Sequence, residues 1–283
     1  MEDRLVWLLK NFELRAQVFQ AGTTRRGAMY PPCNGVGYLH LIQNGLMEVR
    51  TSNGKRTVVD QPCALLLMSP ALHTLHLIGE SAFVVCATFE FGLGAGNPLQ
   101  KALPELFILK ISEAPDLENT ICQLFVEADG NHCGREAILD RLCEVVLVLM
   151  LRDLMDQQRL DVGLLAGLAD RRLARAINAI HARPAEDWTL ESLARVAGMS
   201  RARFAAHFRD VVGMTPGAYL SEWRLGLAQS MLLRGRPLKM VAGEVGYGSP
   251  SALSRVFAVR CGMPPTAWLR SRQSAPVALA SNS

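Results

Sequence analysis

Arg201, Arg203, Arg209 and Arg255 stand among small residues that leave a guanidinium free to reach outward. Ala202, Ala205 and Ala206 accompany the first three; Ser251, Ala252, Ser254 and Ala258 surround the last. Arginine's planar fork can take guanine O6 and N7 together, whereas an alanine methyl can only meet a thymine methyl. Arg255 is therefore the strongest single candidate for reading a base. Ser200 and Ser249 precede these groups and could cap helices whose first amides face a phosphate. Other residues suggest different chemistry. His40, His73 and His76 could ligate a metal if they converged on one point. Cys33, Cys63 and Cys86 could form a thiol switch if accessible and of low pKa.

The arginine groups lie in a duplicated pattern. AGMSRARFAAHF at 197–208 recurs as GYGSPSALSRVF at 246–257, and the offset of 49 continues through Gly213/Gly262 and Pro216/Pro265. In each copy a short helix ends at a small or glycine position, and a serine then opens the next helix. Phe204/Phe208 and Leu253/Phe257, each spaced i, i+4, predict the inward stripe of that second helix, and a glycine five residues on stops it. Helix, tight turn and capped helix make the helix-turn-helix pattern, whose second helix enters the DNA major groove. The units are expected at about 190–212 and 238–261, joined by a long helix over 217–235, with further helices over 171–183 and 266–272. A duplicated amphipathic hairpin in a plain helical domain is the bland alternative. Charge weighs against it: from Asp170 onward sixteen cations, fifteen of them arginine, face seven anions, a net +9, while the first 169 residues carry −5. A basic third beside an acidic remainder suggests a polyanion partner for one half.

The histidines and cysteines sit in different surroundings. Residues 36–91 read as six short strands punctuated by Asn44-Gly45 and Asn53-Gly54, a hairpin signal, and such repeated strands predict a small barrel or jelly roll. His73 and His76, three apart on one strand, point to opposite faces, which argues against a metal. Cys86 shares a face with Val84, Thr88 and Glu90, which would line a cavity or meet solvent. Cys33 lies in the PPCNG loop and Cys63 follows Gln61-Pro62, both near strand ends. Helices are expected over 115–128 and 135–157, the second apolar over so wide an arc that the domain or a second copy must cover it. Seven cysteines without a CxxC pair argue against a disulfide framework or structural zinc. No signal peptide is evident, and no apolar run approaches the ~18 residues that span a bilayer. The expectation is a cytoplasmic α+β multidomain chain without cofactor or membrane contact.

WTLESLARVAGMSRARFAAHFRDVVGMTPGAYLSEWRLGLAQSMLL with VAGEVGYGSPSALSRVFAVRCGMPPTAWLR resembles the DNA-binding domain of the AraC/XylS family of bacterial transcription regulators over 171–272. The Gly-x-Thr-Pro-x-x-Tyr-Leu turn, Arg224…Ala228 and Gly246-Tyr247 carry the likeness. It implies two helix-turn-helix units in successive major grooves of double-stranded DNA, with base contacts at Ala202, Ala205, Ala206, Ser251 and Arg255. It also implies activation through RNA polymerase. The three alanines depart from the long polar side chains common in the first reading helix. YPPCNGVGYLHLIQNGLMEV…LLLMSPALHTLHL resembles a cupin-type sensor, with a turn from Pro70 to His73, although the His-x-His…Glu cluster of cupin enzymes is missing. The organisation implied is a cupin-like sensor domain at 1–112, a helical dimerisation segment at 113–158, a linker at 159–170, the DNA-binding domain at 171–272 and a flexible tail at 273–283. The protein is expected to be a homodimeric regulator, not an enzyme, that answers a small-molecule effector or a redox signal. A metal-dependent cupin enzyme and an effector-independent DNA-binding protein are the alternatives.

Overall fold

The computed structural model describes residues 3–32, 35–68, 72–91, 103–157 and 162–273. Cys33, Pro70 and Ala71 of the Pro70-to-His73 turn, and most of the 273–283 tail lie outside them. The chain divides into two compact units, Met1–Ala174 with Asp210–Gly213, and Arg175–Arg209 with Met214–Ser283.

Among the described residues of the first unit a short helix, α1 (Val6–Asn11), precedes nine strands: β1 (Leu14–Thr24), β2 (Ala28–Tyr30), β3 (Val36–Asn44), β4 (Met47–Thr51), β5 (Arg56–Val59), β6 (Cys63–Leu67), β7 (His73–Leu77), β8 (Ala82–Phe91) and β9 (Leu106–Lys110). They form two antiparallel sheets, ordered β1-β8-β3-β6-β9 and β2-β7-β4-β5. The six strands expected between 36 and 91 are present. The Asn-Gly pairs serve different ends. Asn53-Gly54 closes the β4–β5 hairpin, with Gly54 at φ 83°. Asn44-Gly45 makes no hairpin, because β3 and β4 lie in different sheets. Asn44 Oδ1 accepts from the Phe83 N–H at 3.0 Å, and Gly45, at φ 100°, passes so close that a Cβ would lie 2.5 Å from Ala82. The glycine lets the chain cross from one sheet to the other.

Side chains from both sheets meet in one core. Tyr30, Met47, Val49 and Leu75 come from the smaller sheet; Tyr38, Ile42, Leu65, Leu67, Val84 and Cys86 come from the larger. The alternate residues Leu39, Leu41, Ala64, Leu66, Val85 and Ala87 are also buried, so the central strands are covered on both faces. Helix α2 (Pro115–Asp129) and helix α3 (Arg135–Asp156) follow β9. From α3, Asp140 Oδ1 accepts the Val18 N–H at 2.7 Å and Glu144 Oε1 the Ala16 N–H at 3.3 Å, which ties the helix to β1. Its apolar arc is buried from Leu139 to Met155, while Ile138 and Val145 stay exposed. The stretch expected as a linker holds a buried helix, α4 (Leu164–Ala169). Arg4 satisfies its last carbonyls, donating to Leu168 O and Ala169 O and pairing with Asp156.

Helix α5 (Arg171–Ala182) leads into the second unit, where α6 (Leu190–Ala197), α7 (Arg201–Val212, its last three residues counted with the first unit), α8 (Pro216–Leu233), α9 (Leu238–Glu244), α10 (Pro250–Cys261) and α11 (Pro265–Gln273) follow. At 1.5 Å per residue, α8 is about 27 Å long. Phe204, Phe208, Leu253 and Phe257 are fully buried, each burial stabilising by roughly 1.5–3 kcal/mol. No described helix is long and apolar enough to cross a membrane.

Candidate nucleic-acid interface and barrel interior

The first copy starts with a reciprocal cap. Thr189 Oγ1 accepts the Ser192 N–H at 3.1 Å and Ser192 Oγ the Thr189 N–H at 3.0 Å. Two otherwise unpartnered donors of α6 are thereby satisfied. Gly198, at φ 64°, ends the helix in the left-handed conformation, and the Met199 N–H closes the turn on Ala194 O at 2.9 Å. In the second copy Gly246, at φ 87°, takes the left-handed position and the Tyr247 N–H closes on Ala242 O at 2.8 Å. These turn bonds recur at an offset of 48 and the serines at 49, so the second turn is one residue longer. Ser249 caps α10, its hydroxyl accepting the Ala252 N–H at 3.1 Å. For Ser200 the backbone carbonyl accepts from Phe204 at 2.9 Å.

With the Phe and Leu pairs inward, the opposite faces are open. Arg201, Ala202, Arg203, Ala206 and Arg209 are exposed on α7 and Ala205 is half-buried; on α10, Ser251 and Arg255 are exposed, and Ala252, Ser254 and Ala258 half-buried. The alanines leave a groove of about 390 Å³ along α7. It is lined by Ala202, Ala205, Ala206 and Arg209 and by the start of α8 at Thr215, Pro216 and Gly217. Behind α7 the packing is aromatic. Phe208 meets Tyr219 edge-on, and His181 stacks on Trp223 at 3.5 Å with Nε2 2.5 Å from the Tyr219 hydroxyl. Burial pushes His181 down to about 3, so it is a neutral core residue.

In the sequence Arg224 is one member of a pattern; in the structure it holds three carbonyls. From α8 its guanidinium donates to Pro184 O at 2.7 Å, Glu186 O at 2.9 Å and Gly246 O at 3.2 Å. The only local signal was a cation amid the apolar run around Trp223 and Leu225.

In the barrel, His40 on β3 and His73 on β7 come from opposite sheets and meet, Nε2 to Nε2, at 2.9 Å. Tyr30 stacks on His73 at 4.9 Å and lies 4.6 Å from His40; Tyr38 stacks on His40 at 6.0 Å. The Tyr30 hydroxyl is 3.8 Å from Cys86 Sγ. Burial, then the neighbouring His73, holds His40 well below the ordinary imidazole range, and its Nδ1 is buried without a hydrogen-bond partner. His76 is exposed on the outer face, as the strand period required. Among the described residues no group of three His, Cys, Asp or Glu is arranged to hold a metal. Two imidazoles flanked by tyrosines thus make an incomplete ligand set.

At Cys63 and Cys86 the conditions for a thiol switch are not met. Cys86 is fully buried and Cys63 almost so, and burial pushes both thiols up to about 12. Neither is the accessible, low-pKa thiol a switch requires. The polar look of Thr88 and Glu90 misled, because they lie toward the end of β8 while Cys86 faces the inter-sheet core. Among the described residues the exposed thiols are Cys122 and Cys133, which carried no sequence signal.

Comparison with known proteins matches both units. A helix-turn-helix domain profile fits residues 193–271 and a cupin profile residues 3–156. The chain is 31% identical over 243 residues to the RCS-specific HTH-type transcriptional activator RclR of Escherichia coli, covering 84% of this chain and 86% of that protein. It is 35% identical over 192 residues to an AraC-like transcription regulator of Streptomyces lividans, covering 66% and 63%. Among solved structures, ToxT of Vibrio cholerae aligns over 94% of this chain and all of its own at 12% identity, with a TM-score of 0.42.

Proposed function

Since the chain belongs to the AraC-type family of transcription regulators, with a cupin domain ahead of its two helix-turn-helix units, we propose that it activates transcription from promoters it reads with α7 and α10. Arg255 reads guanine, flanked by Ser251, Ala252, Ser254 and Ala258. On α7, Ala202, Ala205 and Ala206 meet thymine methyls or follow groove shape, while Arg201, Arg203 and Arg209 hold phosphates or base edges. The helix starts at Ser200 and Ser249 face phosphates. The observation that carries this reading is the paired arrangement: two helices in one arginine-rich unit, each entered through a tight glycine turn, burying its apolar pair and turning polar or small residues outward.

The regulating signal in this reading is a small-molecule effector rather than a catalytic substrate. His40, His73, Tyr30 and Tyr38 form the seat, and the unpartnered His40 Nδ1 is the atom such a molecule would satisfy. A second copy pairs through α3, where Ile138 and Val145 are exposed, and RNA polymerase is the partner at the promoter. Regulation is linkage: whatever binds the barrel differently in two states shifts the fraction able to hold both DNA half-sites.

A binding titration against the region upstream of the protein's own gene and a shuffled duplex, with and without reductant, tests the proposal. Selective binding that ignores reductant is expected. If binding is equally weak on both duplexes, and selection from a randomised duplex library enriches nothing, the proposal fails.

A further inference from the structure

Only α8 runs between the first helix-turn-helix unit and the second, so the angle between the two reading helices depends on how each unit is fastened to that helix and to the other. The three carbonyls held by Arg224 come from both sides of that joint. Pro184 and Glu186 belong to the loop entering α6, and Gly246 is the turn glycine of the second unit. The loop is braced in turn: Arg183 pairs with Glu186 at 2.7 Å, and Trp188 Nε1–H donates to Arg183 O at 2.9 Å. On the other side the fit leaves no slack, for a Cβ on Gly246 would lie 2.8 Å from both the Arg224 Cζ and the Ala185 Cα. Charge-assisted hydrogen bonds are shorter and stronger than neutral ones. A guanidinium also fixes its donors in one plane, which an ammonium cannot do.

The geometry points to Arg224 as a positioning residue that locks the separation and phase of α7 and α10, and hence sets which half-site spacing the protein accepts. The residue faces no base. It acts by fastening the α6 entry loop to the second turn, so that neither unit rotates about α8 alone. The spacing of the operator is then written into one side chain outside the reading helices.

The inference rests on the DNA-binding reading for one of its two tests and not for the other. In the free full-length protein, hydrogen exchange is followed in the segments 183–189 and 244–250 for the wild type, Arg224→Ala and Arg224→Lys. Exchange should rise in both segments together in the variants; a rise in neither, or in one alone, overturns the latch. On DNA, a duplex selected by the wild type from a randomised library is rebuilt with one base pair added or removed between the half-sites, and each half-site is also presented alone. One base pair turns the duplex by roughly a tenth of a helical turn. The wild type should lose affinity steeply on both altered duplexes. Arg224→Lys should keep its affinity for single half-sites yet lose roughly tenfold of the spacing preference, the scale of one charge-assisted hydrogen bond. An unchanged spacing profile, or an equal loss on every duplex including the single half-sites, overturns the inference. Should Arg224→Ala not fold, Arg224→Lys decides. Should the wild type select no duplex, the DNA reading falls, and the exchange measurement still decides whether Arg224 fastens the two turns.

Discussion

Arg255 is exposed on α10 while its helix is held from behind by Leu253 and Phe257, so truncating it should disturb recognition and not folding. Arg255→Ala is expected to cost about 1–3 kcal/mol on a selected site and nothing measurable on random DNA; a titration on both duplexes that gave equal losses would refute base reading. His181 makes a different prediction, about pH. The unfolded imidazole takes up a proton below 6.5, whereas the folded one refuses it until about 3. Below 6.5 the unfolded chain therefore binds more protons, and stability falls as pH drops through that window, by about 1.4 kcal/mol per unit for this group. Above 6.5 His181 contributes no slope. Urea unfolding of wild type and His181→Phe at pH 7.5 and 5 should show the variant losing less on acidification; parallel losses would assign the acid sensitivity elsewhere. Neither His181 nor the His40–His73 contact was legible in the sequence. Both join residues more than thirty positions apart, and nothing local marks such a partner.

At the scale of elements, what could be read locally was read well. The strands of 36–91 were bounded by glycine and asparagine, and the helices of the second unit by serines, prolines and an i, i+4 stripe. β1 escaped because its burial does not alternate, running half-exposed with a register shift between Val18 and Gln20. β9 escaped because five residues carry little pattern. The Asn44-Gly45 hairpin failed because the same dipeptide that tightens a turn can also carry a chain across a core, and only the partner strands decide. The two turn glycines yield a graded expectation. Gly198, at φ 64°, has open space where a Cβ would go, while Gly246, at φ 87°, has Ala185 and Arg224 in the way. Gly198→Ala should cost about 1 kcal/mol from the left-handed backbone alone. Gly246→Ala should cost about 3 kcal/mol, because clash adds to strain. Equal urea midpoints for the two variants would contradict that packing.

For the whole molecule, the uneven charge sets how DNA binding answers salt. Log affinity should fall linearly with log salt, and replacing both Arg201 and Arg203 by alanine should flatten the slope by roughly two units if each neutralises one phosphate. An unaltered slope in the titration would remove them from the backbone. The first unit bears the opposite charge, and two of its carboxylates have a further consequence. β1 is the outer strand of its sheet, and Asp140 and Glu144 occupy the amides of Val18 and Ala16 that would otherwise invite another chain's backbone. Unpaired edge amides are templates for strand addition, so α3 acts there as a guard against polymerisation. Asp140→Ala, which uncovers one amide while leaving the core intact, is the change from which fibrils would be expected to grow.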